Sequence, residues 1–288
     1  MQVNYEQLKK KLEEHYRYGE DWSTRYLHGQ RVNYLAGIIG KHLKCAKTAL
    51  DVGCGGGVYT ALLAAKNILT VGIDVSKEAL QATRAWVNSE GTSESVQLIN
   101  CSAEFLPFRK ESFDLMVCSE VIEHLDNPRR GIEEISRVLN NEGDIILTVP
   151  NVLSYYWARA KIGYEMLRFL KRKGRNIERE KHASFPFWRT LRLLRESNLT
   201  DQSISSTNIF PVPFSLMRRL VCHEEIINLL EYLDKQLRKT PFKVLGSSLV
   251  VTATKTSVFA ANARNSHACE RKVPRLQNLI ALRKLLLA

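Results

Sequence analysis

No apolar run in the chain approaches the roughly 20 residues needed to span a bilayer, and its six cysteines include no Cys-x-x-Cys pair. The first absence argues against a membrane-spanning helix. The second argues against a disulfide framework or a zinc-thiolate centre: Cys45, Cys54, Cys101, Cys118, Cys222 and Cys269 stand apart, and three lie in or beside expected strands, where a thiol acts as a small apolar side chain. The amino-terminal run Met1-Gln2-Val3-Asn4-Tyr5-Glu6 lacks the basic and then apolar pattern of a secretory leader. A cytoplasmic location is therefore expected. Acids are outnumbered, 30 against 42 Lys and Arg, for a formal net charge of +12. At 288 residues and 44% hydrophobic content the chain is long enough, and apolar enough, to bury a full core.

The excess charge is concentrated. Between Asn151 and Thr200 stand twelve Lys or Arg against four Glu, much of it in the run Lys171-Arg172-Lys173-Gly174-Arg175. Such a run suits a solvated face, an anionic membrane surface or nucleic acid.

Residues 49–60 read Ala-Leu-Asp-Val-Gly-Cys-Gly-Gly-Gly-Val-Tyr-Thr, a short apolar strand that runs into a glycine cluster. Gly53, Gly55 and Gly57 allow a sharp turn and a close backbone approach to a ligand. A dinucleotide fingerprint would place glycine at the sixth position from Gly53, where Val58 stands. Asp51 would set a carboxylate near any pyrophosphate and repel it. S-adenosylmethionine, with an ammonium, a sulfonium and no phosphate, fits that acid better than NAD or ATP. A second apolar strand, Val71-Gly72-Ile73-Asp74, places Asp74 21 residues after Gly53, the spacing of a ribose-diol acceptor.

Strands are predicted near 48–53, 70–74, 96–100, 113–118, 143–149, 203–210 and 248–255, with helices near 57–66, 77–90, 128–139 and 186–196. Helical spacing over Tyr5–His15 and Arg31–Leu43 adds an amino-terminal cap, residues 1–47. This alternation predicts a doubly wound, mostly parallel seven-stranded α/β sheet over residues 48–257, with the ligand at the carboxyl ends of the strands. Residues 151–182 form a basic and aromatic insertion after the fifth strand, and residues 258–288 a tail. Both the stretch 152–175 and the apolar and basic stretch 274–288 have the composition of a peripheral lipid contact; packing on the core or pairing with a second subunit are the other readings of the tail.

After the fourth strand comes Ser119-Glu120-Val121-Ile122-Glu123-His124-Leu125. On a helical turn Glu120, Glu123 and His124 share one face, an arrangement suited to a divalent cation such as Mg2+; a capping acid and a polar helix end are the structural alternative. His182 is the candidate fourth ligand. Metal-bound acceptor oxygens would lose their protons more easily than a phenol of pKa about 10. Without metal, His124 is the best general base, with Glu123 beside it.

With these motifs and Ser102-Ala103-Glu104-Phe105-Leu106-Pro107-Phe108, the chain resembles the class I methyltransferases. It is most similar, over about residues 25–200, to the ubiquinone-biosynthesis O-methyltransferases, which act on polyprenylated catechols. Leu27–Leu35, Thr148-Val149-Pro150-Asn151 and the insertion followed by His182 match the order of that group's motifs. The resemblance implies a donor site of Arg31, Asp51, Gly53, Cys54, Gly55, Gly57, Asp74, Val75, Ser102, Ala103, Glu104 and Ser119, with Arg31 reaching the donor's carboxylate. It implies transfer to a hydroxyl of a small, lipophilic acceptor. The same Glu-x-x-Glu-His turn also resembles small-RNA 2′-O-methyltransferases, and a glycan or natural-product hydroxyl is a further alternative.

Overall fold

The computed structural model describes residues 7, 8, 10, 28–43, 46–154, 187–210 and 224–256. Seven strands form one sheet in the order β3-β2-β1-β4-β5-β7-β6. They are β1 (Thr48–Val52), β2 (Leu69–Asp74), β3 (Val96–Asn100), β4 (Phe113–Ser119), β5 (Leu139–Pro150), β6 (Leu199–Thr207) and β7 (Ser248–Lys255). The first five run parallel, and β7 lies antiparallel between β5 and β6. The expected doubly wound, mostly parallel sheet is the one observed.

Side chains alternate across this sheet as the two-residue strand period requires. Leu50, Met116, Cys118, Ile145 and Leu147 pack into one core layer, while Ala49, Leu115, Val117 and Ile146 pack into the other. Helix α1 (Gly29–His42) covers the second layer with Val32, Leu35, Ala36 and Ile39, spaced as an apolar helical stripe. It is joined there by α2 (Val58–Ala64) and α3 (Lys77–Ser89). The first layer is covered by α4 (Pro128–Val138) and α5 (Phe187–Glu196) through Ile132, Ile135, Leu191 and Leu194.

Local sequence fixes where these helices begin. Ser76 Oγ accepts the Ala79 amide at 3.0 Å to cap α3, and Asn127 Oδ1 accepts the Arg130 amide at 3.2 Å to cap α4, which carries Pro128 in its first turn. Asn198, with φ of 60°, turns the chain directly from α5 into β6.

Three boundaries differ from the sequence reading. Strand β5 starts at Leu139 rather than 143, because a bulge between Phe113 and Leu115 absorbs the left-handed Glu142 that reads as a turn. Strand β6 starts at Leu199 and stops at Thr207, where Asn208 has φ of 54°; its pairing with β7 is itself broken by a register shift between Thr200 and Ser203. Helix α6 (Glu224–Leu237) was not expected, although Ile227 and Leu230 are buried at helical spacing. Of the expected insertion, 151–182, residues 155–182 lie outside the described residues, as does the whole of the expected tail, 258–288.

Leu194 has no exposed surface and anchors α5 to the sheet. Leu194→Ala is expected to lower stability by about 2–5 kcal/mol, measured as the loss of unfolding free energy in urea.

Candidate functional site

The strand order reverses direction between β1 and β4, and the loops beyond the carboxyl ends of these strands cannot cross. A cleft of about 410 Å³ opens there, within the size range of small-molecule sites. Its walls come from the loops after β1, β2, β3 and β4, and include Gly53, Asp74, Ser102, Glu120 and His124.

The loop after β1 is built on glycines in left-handed backbone. Gly53 has φ of 67°, and a Cβ there would collide with Val121, which itself lines the cleft. At Gly57, φ is 84° and a Cβ would come within 2.8 Å of the Thr83 side chain, so only glycine lets α2 start against α3. Asp74 fixes the loop: one carboxylate oxygen accepts the Gly55 amide at 3.0 Å and the other the Ser76 amide at 2.9 Å. Asn100 Nδ2 donates to the carbonyls of Asp74 and Val75, holding the end of β2 in turn.

Of the donor residues expected from the resemblance, Gly53, Asp74, Val75, Ser102, Ala103 and Glu104 line this cleft. Gly55 and Gly57 shape its loop. Cys54 is buried, its Sγ 3.6 Å from Thr83 Oγ1, and burial and the neighbouring Asp51 push its thiol up to about 12. Ser119 Oγ is engaged with Thr148 Oγ1 at 3.0 Å.

Asp51 requires a correction. It is only 1% exposed and does not line the cleft. Along β1 it alternates with Leu50 and Val52 of the first core layer, so its side chain enters the second layer under α2, where Thr60 Oγ1 donates to it at 2.6 Å. Burial, with a smaller contribution from the Asp74 charge and against the Thr60 bonds, pushes its carboxyl up to about 7. The acidity that disfavours a phosphate ligand comes instead from Asp74, Glu104, Glu120 and Asp126 around the cleft.

The Glu120, Glu123 and His124 reading is corrected as well. Only Ile122–His124 form a helical turn, a short 3-10 segment. Glu120 lies outside it with φ of 57°, rare backbone for a non-glycine residue, so the shared face assumed for the three does not exist. Thr148 holds that conformation: its carbonyl and its Oγ1 both accept the Glu120 amide at 3.1 Å, and its hydroxyl donates to Glu120 Oε1 at 3.0 Å. Glu120 Oε2 faces the Arg31 guanidinium at 3.3 Å. Arg31 Nη1 also lies 3.4 Å from Ser248 Oγ and Nη2 lies 3.0 Å from His28 Nδ1. Arg31 thus pairs with Glu120, which lines the cleft, and is not itself among the lining residues.

Glu123 is 2% exposed. Burial and the Glu120 charge push its carboxyl up to about 8, against the pull of backbone hydrogen bonding and Arg31. His124 Nε2 is 4.0 Å from Glu123 Oε1, and the imidazole is half exposed at the cleft. Among the described residues no three His, Cys, Asp or Glu side chains are grouped to hold a metal ion. This gives a divalent cation no support, and His182, the expected fourth ligand, lies outside the described residues.

Sequence reasoning missed Ile73, Cys101, Val121, Leu125 and Asp126, which also line the cleft. Position beyond a strand's carboxyl end was the available signal, since Cys101 follows β3 and Val121 follows β4. Burial pushes the Cys101 thiol up to about 11, so it faces the cleft as a neutral group.

Comparison with known proteins agrees with this geometry. Residues 50–147 match the family described as a methyltransferase domain. The ubiquinone biosynthesis O-methyltransferase of Nitrosomonas europaea is 32% identical over 143 residues, 49% of this chain and 60% of that protein. The protein of the same description from Glaesserella parasuis is 30% identical over 46% of this chain and 58% of its own length. The chain thus spans about three-fifths of the length of these relatives. A crystal structure described as a putative methyltransferase from Bacillus halodurans superposes with a TM-score of 0.53, covering 77% of this chain and 99% of that one at 19% identity.

Asp51 carries a sign-defined consequence. Its native carboxyl, at about 7, binds a proton that the unfolded chain releases near 3.8, so this group's stabilisation is full below pH 3.8 and falls as pH rises towards 7. Asp51→Asn removes that loss. The stability of the variant relative to the parent is expected to rise between pH 4 and pH 7, by at most about 1.4 kcal/mol per pH unit, measured by urea unfolding at each pH. A flat difference would show that Asp51 is ionised in the folded state.

Proposed function

We propose, from the premise that the chain carries a methyltransferase domain over residues 50–147, that it transfers a methyl group from S-adenosylmethionine to a hydroxyl of a small lipophilic acceptor. One observation carries the reading: Asp74, at the end of β2 and bonded by the amides of Gly55 and Ser76, and the imidazole of His124 line the same cleft.

S-adenosylmethionine supplies a methyl group already activated by its sulfonium. The residues must then bind and orient the donor, align the acceptor oxygen and remove its proton. Asp74 retains lone pairs for two ribose hydroxyls after accepting from Gly55 and Ser76. Ser102, Ala103 and Val75 form the adjoining wall, suited to a flat base. The four lining carboxylates favour a cationic donor over a phosphate-bearing nucleotide. His124 is the imidazole in the lining and the candidate base for the acceptor hydroxyl; as the acceptor oxygen bonds to the methyl carbon, the carbon–sulfur bond breaks with its electron pair going to sulfur, S-adenosylhomocysteine leaves, and the hydroxyl proton passes to the ring nitrogen. Buried Glu123 Oε1 lies 4.0 Å from its Nε2.

A lipophilic acceptor is supported by two exposed apolar side chains, Val75 in the cleft lining at 71% and Phe105, which follows the lining residue Glu104 in sequence, at 60% exposure, and by what the relatives' description says of those proteins. The aromatic and basic composition of residues 151–182 is consistent with an acceptor drawn from a lipid surface.

The direct test is transfer of labelled methyl from S-adenosylmethionine to a prenylated catechol; absence of product with that and other hydroxyl acceptors would remove the reading. Asp74→Ala is expected to weaken donor binding at least about tenfold by isothermal titration, given the strength of hydrogen bonds to a carboxylate. His124→Ala is expected to leave donor affinity within about twofold and to lower kcat by about 10²–10⁴, measured as initial rates across pH.

A further inference from the structure

We propose that the pocket between the start of α4 and the outer side of α5 binds a phosphate-bearing group, and that this group is part of the methyl acceptor. The proposal rests on the methyl-transfer reading above and names a substrate class for it.

The pocket encloses about 640 Å³ and is lined by Arg129 from α4 with Trp188, Arg189 and Arg192 from α5. One acid organises it. Glu196 Oε2 lies 2.7 Å from Arg129 Nη2, and Glu196 Oε1 accepts from Arg192 Nε at 2.8 Å, so a single carboxylate fixes guanidiniums from two helices. Each guanidinium carries five N–H donors, and these contacts use one from each. The remaining donors are fixed in fork geometry on side chains that are more than half exposed, the arrangement that binds phosphate oxygens in pairs. Three guanidiniums outweigh the carboxylates of Glu196 and Asp126 in the lining. Trp188, 55% exposed, adds a flat apolar wall for whatever bears the phosphate.

Asp126 lines both this pocket and the donor cleft. Two chambers of opposite polarity thus adjoin across one residue: an acid-lined one suited to a cationic donor and an arginine-lined one suited to an anion. A molecule with a hydroxyl at one end and a phosphate ester at the other would span them, its phosphate kept away from the acids of the donor cleft.

Inorganic pyrophosphate titrated calorimetrically into the full chain is expected to bind, with affinity at least tenfold weaker in Arg189→Gln and in Arg192→Gln, while S-adenosylmethionine binds all three alike. In rate assays, a catechol carrying a phosphate ester on its side chain is expected to show a KM at least tenfold below that of the unphosphorylated catechol. Arg192→Gln should erase that advantage, raising the KM of the phosphorylated catechol to that of the unphosphorylated one. Pyrophosphate binding that is absent, or equal in parent and variants, overturns the pocket; equal KM values overturn its assignment to the acceptor. Arginine-dependent binding to phosphatidylglycerol vesicles without pyrophosphate binding also overturns the proposal, by giving the face to a lipid surface. Failure of S-adenosylmethionine to bind the parent chain would instead strike the reading beneath it.

Discussion

The cleft depends on one carboxylate that belongs to neither of the loops it joins. Asp74, at the end of β2, accepts amides from the glycine loop after β1 and from the start of α3. The loop residues Gly53, Gly55 and Gly57 all have positive φ, conformations that glycine adopts freely and therefore abandons freely. Without a fixed acceptor this stretch would have little reason to hold one shape. Coupling it to Asp74 transfers the rigidity of two parallel strands, paired from Thr48 with Leu69 through Val52 with Ile73, into the backbone that must approach a ligand.

The fold was legible because its signals are local and repeated. Apolar strands alternating with amphipathic helices specify a doubly wound sheet with few alternatives, and the glycine loop with Asp74 places a ligand at the carboxyl ends. The site was less legible where backbone conformation decided the outcome. Glu120, Glu123 and His124 have helical spacing, but Glu120 is left-handed and tied to Thr148 and Arg31, partners 28 and 89 positions away in the chain. Asp51 looks like a ligand-facing acid until the helices that cover each face of the sheet are in place and its side chain lies beneath α2, bonded to Thr60. Both misreadings share a cause: sequence spacing reports which residues are near one another, whereas the direction of a side chain is set by strands and helices that arrive from elsewhere.

Charge is sorted accordingly. The acids of the cleft are held by amides, hydroxyls and a single internal guanidinium, and the arginines of α4 and α5 gather around Glu196 on the next face. Arg31 arrives from α1, whose apolar stripe is packed on the opposite core layer. That helix therefore contributes to the site through Arg31, which pairs with the Glu120 carboxylate while Thr148 holds the Glu120 backbone.

The broken register at Thr200 and Ser203 bears on how the molecule behaves in a crowded solution. Strand β6 ends the sheet order and, among the described residues, pairs only with β7. A straight, regular strand in that position would offer a row of amides and carbonyls to any extended peptide, including another copy caught midway through folding. The shift twists the strand and spoils that row, and the Thr, Gln and Ser side chains that populate β6 give a growing fibril little apolar surface to bury. The irregularity thus favours solubility over the last increment of strand pairing.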